Sequence, residues 1–499
     1  MKLEQINDTF KDVELRFDVD NWEIDGVKLW PFIRVENYML QSFRALGSNP
    51  SQTRTFYFMV RIIKSKIAHF YTLVSDIKNN FNSKGNADIV FLSDGMSFVN
   101  LEQRWYSKFF DPLASEFSLR GFTSIRFDLG HNFYNPTFTL SHFIQPQIDN
   151  IIIKLLILAK IFSPKFANEE WGDFEVFRTD IFVNKYFIKV PSKESLRKKI
   201  QKINNLKFYY ITKLKRINPK LGFVVNFYGD EQMAFILACK ELNITTIDIQ
   251  HGVQGPLHLG YGNWNRVPKY GYPQLPNYFW VWSKFEKENI DKWSKKIGCN
   301  KAVVVGNLFS QIWKDGDSKL VVEFDKKFQN LKKYKAKYSV LITLSPHTES
   351  LMGELLNVLK KTQYDFNWFI RLHPGMVKDL NKIKAKLNGL DIHNYEISET
   401  SCLPLQTILR NVDAHITCQS SCVIEAADFG VLSIITSDYG KALYKDIIDS
   451  KKAFYINKED DIIILLNKII NKKNFLLKDS EVFASKNKAL EELISNYLI

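Results

Sequence analysis

From Asp88 onward the chain alternates short apolar runs with longer segments of helical period. Asp88–Leu92, Thr123–Asp128, Phe223–Phe227, Thr245–Ile249 and Ala302–Val305 are continuous apolar stretches, too short for helices and bounded by turn residues, and predict buried strands. Gln232–Leu242 predicts a helix between two of them. The rhythm resumes at Tyr338: Ser339–Leu344, Trp368–Leu372, Ala414–Cys418 and Val431–Thr436 predict strands. Ser350–Lys361, Leu405–Asn411 and Val423–Phe429 predict the helices between them. Strands that are apolar throughout are covered on both faces, so the pattern implies βαβ units and largely parallel sheets. The predicted fold class is α/β, with two Rossmann-like domains and an N-terminal helical extension.

The first 82 residues follow another pattern. Asn21–Leu46 carries Trp22, Ile24, Leu29, Trp30, Phe32, Ile33, Val35, Tyr38 and Met39, with Pro31 suited to a first helical turn. Phe56–Ser75 predicts a basic amphipathic helix, and Asn79–Asn86 a linker. The expected organisation is a helical extension over 1–82, one Rossmann-like domain over 83–321, a second over 322–475, and a terminal helix over 476–499. The charged stretch Glu323–Lys337 is read as a linker between domains.

Composition narrows the picture. The 499 residues carry a net charge of +14, with 14% aromatic residues and 39 Phe, which favours large cores over disorder. Lys and Arg cluster at Arg197, Lys198, Lys199, Lys202 and Lys207, then at Lys213, Lys215, Arg216 and Lys220. Such a run is either a solvated helix face or a surface for anionic lipid. Five cysteines and a polar Met1–Phe10 suggest a reducing, cytoplasmic setting. Ile151–Phe162 is the longest apolar run, well short of the about 20 residues of a membrane span, and contains Lys154 and Lys160.

Four constellations carry candidate chemistry. In His415-Ile-Thr-Cys-Gln-Ser-Ser-Cys-Val-Ile-Glu425, a strand turns through Ser420 and Ser421 into a helix. Backbone N–H groups and hydroxyls there suit a phosphate, and Glu425, one turn up, suits ribose hydroxyls. The alternative is an ordinary cap with an exposed glutamate. Arg371-Leu-His373-Pro374 closes a strand and offers an arginine and an imidazole to the same ligand; a buried histidine beside a surface ion pair is the alternative. Ser345-Pro-His347 ends another strand of the same unit. In the preceding domain, Asp230 and Glu231 open a helix and Gln250-His251-Gly252 ends a strand. Asp230 or Glu231 is the candidate base for an acceptor hydroxyl, His251 a second catalytic candidate, and Gln250 and Gly252 close-approach positions. His415, Cys418 and Cys422 are spaced like ligands but fall on a strand and a helix with no completing pair, so no metal is assigned. No Walker loop, dinucleotide fingerprint or nucleophile elbow occurs. Asp18-Val-Asp20 and Asp315-Gly-Asp317 close no βαβ strand and are read as surface acids.

On these residues the stretch from Gly229 to Thr436 resembles the two-domain GT-B glycosyltransferases, most closely those of bacterial capsule and lipopolysaccharide synthesis. The shared motifs are Gln250-His251-Gly252, His373-Pro374, the Ser420-Ser421 turn and the helix Glu425-Ala426 to Gly430. The His-Pro pair and serine turn are similar to those of transferases using CMP-sugars, and also to those of enzymes transferring glycerol phosphate from CDP-glycerol. The resemblance implies that His373 and the serines hold the donor phosphate while an acid of the first domain deprotonates the acceptor. It implies no cofactor. The expected partners are a nucleotide-activated sugar and a lipid-linked or oligosaccharide acceptor at the inner face of a membrane, with no nucleic acid. The alternatives are polyol phosphotransfer, a nucleotide-sugar epimerase, and a basic non-enzymatic scaffold.

Overall fold

A computed structural model describes residues 3–45, 86–93, 97–101, 103–129, 141–144, 166, 168–314, 316, 318–332, 336–346, 353–470 and 488–498. The proposed helix at 56–75, the apolar run 151–162 and His347 lie outside them. The chain forms two compact units, one reaching Gly306 and regaining the C-terminal segment, the other running from Asn307 to Glu481.

The first unit is built on a seven-stranded parallel sheet. Its strands are β1 (Ile89–Ser93), β2 (Ser124–Leu129), β3 (Ser141–Ile144), β4 (Leu221–Val225), β5 (Thr245–Ile249), β6 (Tyr278–Val281) and β7 (Lys301–Val304), in the spatial order β7-β6-β5-β4-β1-β2-β3. Strands β1 and β4 are buried at every position, as continuous apolar runs require. Gly222 in β4 is needed for packing, because a Cβ there would lie 3.0 Å from Phe235 and 3.1 Å from Cys239 on the covering helix.

Two N-terminal helices belong to this unit: α1 (Leu3–Arg16) and α2 (Trp30–Ala45). Pro31 sits in the first turn of α2, where its missing N–H costs nothing. Phe10, Trp22 and Trp30 pack with Phe174, Phe177 and Phe187 into an aromatic core. At the other end of the chain, Tyr497 meets the Tyr278 hydroxyl at 2.9 Å and Lys220 donates to the Leu498 carbonyl. The basic run forms α3 (Lys193–Ile217), capped by the Ser192 hydroxyl and closed by Asn218 in the left-handed region. Its cations are largely compensated by acids of the same unit. Arg197 pairs with Glu169, Lys198 with Glu194, Lys199 and Lys202 with Asp230, and Lys207 with Glu241.

The second unit has a six-stranded, wholly parallel sheet. Its strands are β8 (Tyr338–Thr343), β9 (Phe366–Arg371), β10 (Tyr395–Glu396), β11 (Ala414–Thr417), β12 (Ser433–Ile435) and β13 (Ala453–Tyr455), in the order β10-β9-β8-β11-β12-β13. Val340, Ile342, Trp368, Ile370, Ile416 and Ile434 centre its core. The stretch read as a linker begins inside a helix: Lys319–Gln329 is helical, capped by Ser318, and buries Val321, Phe324 and Phe328. Its charges mask a three-to-four spacing of apolar residues. Both sheets follow one logic: the chain lays strands outward on one side, then returns to the first strand and builds on the other. The reversal falls between β1 and β4 in the first sheet and between β8 and β11 in the second, and ligands of open α/β sheets bind at the carboxyl ends of such strands.

Candidate functional site

At the second switch point, β8 ends in Thr343 and the buried Ser345, and β11 ends in Thr417, Cys418, Gln419 and the serine pair. Thr417 Oγ1 donates to the Thr343 carbonyl at 2.8 Å and accepts the Ser420 N–H at 3.2 Å, welding the two strand tips together. Ser420 Oγ accepts the Cys422 N–H at 3.3 Å, so Ser420 caps α4 (Cys422–Asp428), while the Ser421 side chain makes no cap bond. Behind the turn, Ser437 Oγ and the Tyr444 hydroxyl donate to the Cys418 and Gln419 carbonyls at 2.6 and 2.9 Å. Gly440 closes that wall, since a Cβ there would stand 2.1 Å from the Cys418 carbonyl oxygen. Glu425 is held by Gln406, whose amide donates to Oε1 at 2.7 Å.

The tips of β9 and β11 both flank β8, so His373 and the serines are next-nearest rather than adjacent across the sheet. Two strand spacings, about 10 Å, separate these tips. His373 is exposed, and its Nδ1 accepts the Gly375 N–H at 3.0 Å, which leaves the proton of the neutral ring on Nε2. Pro374 opens the short helical turn that follows. Arg371 departs from its expected role. Its Nη1 donates to the Thr400 and Leu403 carbonyls at 2.7 and 2.6 Å, burial lowers its pKa, and it faces Cys422 and Glu425 electrostatically. This guanidinium ties a loop to β9. His415 is wholly internal, bridging Thr343 Oγ1 at 2.8 Å and Ser433 Oγ at 2.9 Å, with burial lowering its pKa to about 3. Both ring nitrogens are committed, which removes it as a metal ligand. Among the described residues no group of three or more His, Cys, Asp or Glu is arranged to hold a metal ion.

At the first unit's switch point the expected base is corrected. Asp230 opens α-helical residues Asp230–Glu241, but both its carboxylate oxygens meet cations, Lys199 Nζ and Lys202 Nζ. Burial opposes its ionisation, yet the two lysines prevail and hold its pKa below the ordinary value. A doubly paired, weakly basic carboxylate is a poor proton acceptor; its role here is to fix α3 to the sheet. Glu231 follows it on the helix, half-buried. Gln250 also turns inward. Its Oε1 accepts the Trp282 N–H at 2.6 Å, and its amide donates to the Gly252 carbonyl at 2.8 Å and to Glu286 at 3.3 Å. Gln250 therefore shapes the strand end from inside, holding the Gly252 carbonyl. His251 is partly exposed there, its ring 6.4 Å from that of Tyr228.

Three residues unremarked in the sequence group nearby, His258 among them interacting electrostatically with His251. Asp248 in β5 is fully buried, accepts the Phe227 N–H at 3.1 Å, and is raised by burial to about 8. Tyr261 lies against Asp248 and Gln254; its hydroxyl, Asp248 Oδ2 and the Gln254 amide are buried without a hydrogen bond of good geometry. His258 packs its ring 5.0 Å from Tyr261 and 5.5 Å from Tyr228. Burial, reinforced by His251, lowers its pKa to about 3. An acid inside the apolar run Thr245–Ile249 was the available sequence signal, because a buried carboxylate needs a reason.

Comparison with known proteins adds context to this geometry. No protein-family model matches the chain, and no curated protein matches it by sequence. Among solved structures, a Methanocaldococcus jannaschii UDP-GlcNAc 2-epimerase aligns over 82% of this chain and 99% of its own, at 12% identity and a TM-score of 0.49. A Neisseria meningitidis UDP-GlcNAc 2-epimerase bound to UDP-GlcNAc gives 12%, the same coverages and 0.48. A Glycyrrhiza uralensis UGT complexed with glycyrrhetinic acid 3-O-monoglucuronide gives 12% identity, 82% and 96% coverage, and 0.41. Likeness at that level decides no activity. The two parallel sheets and their switch points stand on the strand order itself.

Proposed function

We propose that this chain is a nucleotide-sugar enzyme, specifically a glycosyltransferase that moves a sugar, from a CMP-sugar by preference, to a lipid-linked or growing surface polysaccharide. The observation that carries the reading is the second unit's switch point. Thr417 locks the tips of β8 and β11 together there, Ser345 and the Gln419–Ser421 turn follow those strands, and His373 stands one strand beyond. The serine hydroxyls and the His373 Nε2–H are donors that suit a phosphate gaining negative charge as the bond to the sugar breaks and it departs with the nucleotide. The about 10 Å between the β9 and β11 tips is the span of a phosphate with its attached ribose or sugar. Glu425, fixed by Gln406, is the ribose-binding candidate. Pro374 keeps His373 at the strand end.

The role of base passes from Asp230 to Glu231 or His251, since the first carboxylate is spent on two lysines. Lipid contact, if the acceptor is lipid-linked, does not rest on α3, whose cations are mostly paired; among the described residues no helix is long and apolar enough to cross a membrane.

The test is product analysis with CMP-, CDP-, UDP- and GDP-sugars, with and without an oligosaccharide or lipid-linked acceptor. Labelled sugar should appear in the acceptor with one donor class only. Isomerised nucleotide sugar formed without acceptor would replace transfer by epimerisation. Label from the β-phosphate in product would replace it by polyol phosphotransfer.

A further inference from the structure

The connection between β5 and β6, Gln250–Asn277, contains no helix or strand. It greatly exceeds the about 12–15 residues beyond which unstructured connections are uncommon in compact domains. Nevertheless much of it is buried, including Leu259, Tyr261, Trp264, Tyr272 and Gln274. Its backbone polar groups need partners, and the N-terminal helices supply several of them.

Arg34 of α2 is fully buried. Its Nη2 donates to two consecutive loop carbonyls, Asn263 at 2.7 Å and Gly262 at 3.1 Å, and its guanidinium lies 4.1 Å above the Trp264 ring. Its Nε donates to Glu14 Oε1 at 2.8 Å, a pair with both side chains at 0% exposure. Glu14 Oε2 in turn accepts the Asn265 N–H at 2.7 Å and its side-chain amide at 3.0 Å. The pair thus grips four successive residues of the loop from one side. Four residues along the same helix face, Tyr38 packs its ring 5.0 Å from His258. A fully buried ion pair stabilises little relative to an apolar replacement of the same volume. What an apolar pair cannot reproduce is the planar guanidinium whose Nε meets Glu14 while its Nη2 meets two loop carbonyls.

We propose that Glu14 and Arg34 are positioning residues, through which the N-terminal helix pair sets the Gln250–Asn277 loop and so presents His258 and His251 at the ligand edge of the first sheet. This gives α1 and α2 a role in the site itself, and its kinetic readout rests on the transferase reading above.

The experiment uses the full chain with two variants, Arg34→Lys and the double substitution Glu14→Leu with Arg34→Met. Hydrogen exchange is followed by peptide, together with turnover and donor affinity. The double variant should exchange about ten-fold faster or more within 251–277, while β1, β4 and the second unit keep their protection. Turnover should fall about ten-fold or more, with donor affinity unchanged. Arg34→Lys keeps the charge but loses the fork, and should show the same effects in part. If the loop exchanges at the wild-type rate in both variants, or if loop and sheet lose protection together, the positioning role is overturned. Should the wild type transfer no sugar from any donor, the transferase reading fails, and selective loop exchange still decides this proposal.

Discussion

The two sheets share one winding order, yet their ligand edges are built in opposite ways. In the second unit the strands β9 and β11 end in short turns whose own backbones position His373 and Ser420. In the first unit the edge lies under the Gln250–Asn277 connection, and the positions of His251 and His258 depend on helices more than two hundred residues away in sequence. The lesson is that a site made by strand-to-helix turns is a local property of the chain, whereas one made by a long loop is a property of packing. The first tolerates change elsewhere; the second should not.

The largest expected effect falls on the packed edge. Glu14→Ala leaves the Arg34 cation buried without its counter-charge and should cost about 3–5 kcal/mol of stability, read from denaturant unfolding. A cost below about 1 kcal/mol would erase the contrast between the edges. Next, Gly440→Ala in the second unit drives a Cβ into the Cys418 carbonyl and Ile435. It should cost about 1–3 kcal/mol by overpacking, and should also weaken nucleotide binding, because the displaced segment leads directly into the serine turn. Wild-type affinity in a clearly destabilised variant would detach that turn from the ligand.

The smallest effect per step sharpens the comparison through pH. His415 is depressed to about 3 in the folded second unit, so its contribution is fully present above the unfolded value near 6.5 and is lost as pH falls from there toward 3. Asp248 is raised to about 8 in the first unit, so its contribution is fully present below the unfolded value near 3.9 and is lost as pH rises toward 8. Each slope is at most about 1.4 kcal/mol per pH unit. The stability difference between wild type and His415→Asn should therefore change across pH 4–6.5, and that between wild type and Asp248→Asn should change in the opposite sense across pH 5–8. Equal slopes of one sign would refute the assignment of a neutral imidazole and a neutral carboxyl to the two buried sites.

Much of the architecture was legible because buried parallel strands announce themselves as short apolar runs, and Phe223–Val225, Thr245–Ile249 and Ala414–Thr417 fall where those runs are. Ser420 and His373 were legible for the same local reason: a polar residue directly after such a run sits at the sheet edge. What failed was partner-dependent. Nothing in the neighbourhood of Asp230 indicates that Lys199 and Lys202, on a preceding helix, consume both its oxygens. Arg371 looks like a phosphate ligand until the 400–403 carbonyls close on it. Gln250 sits in the most recognisable motif of the first unit and nevertheless points into the scaffold. His258, Tyr261 and Arg34 form no motif, since their grouping arises only when α2 folds against the loop.

On the proposed function, the β8/β11 switch point holds a nucleotide phosphate. That claim is tested most directly by equilibrium binding of CMP, CDP, UDP and GDP to the wild type and to Ser421→Trp, a substitution that fills the turn without touching the sheet core. One nucleotide class should bind measurably to the wild type, with a loss of at least about ten-fold in the variant, roughly 1.4 kcal/mol. Binding of equal strength to both proteins, or no binding of any nucleotide by the folded wild type, would contradict it.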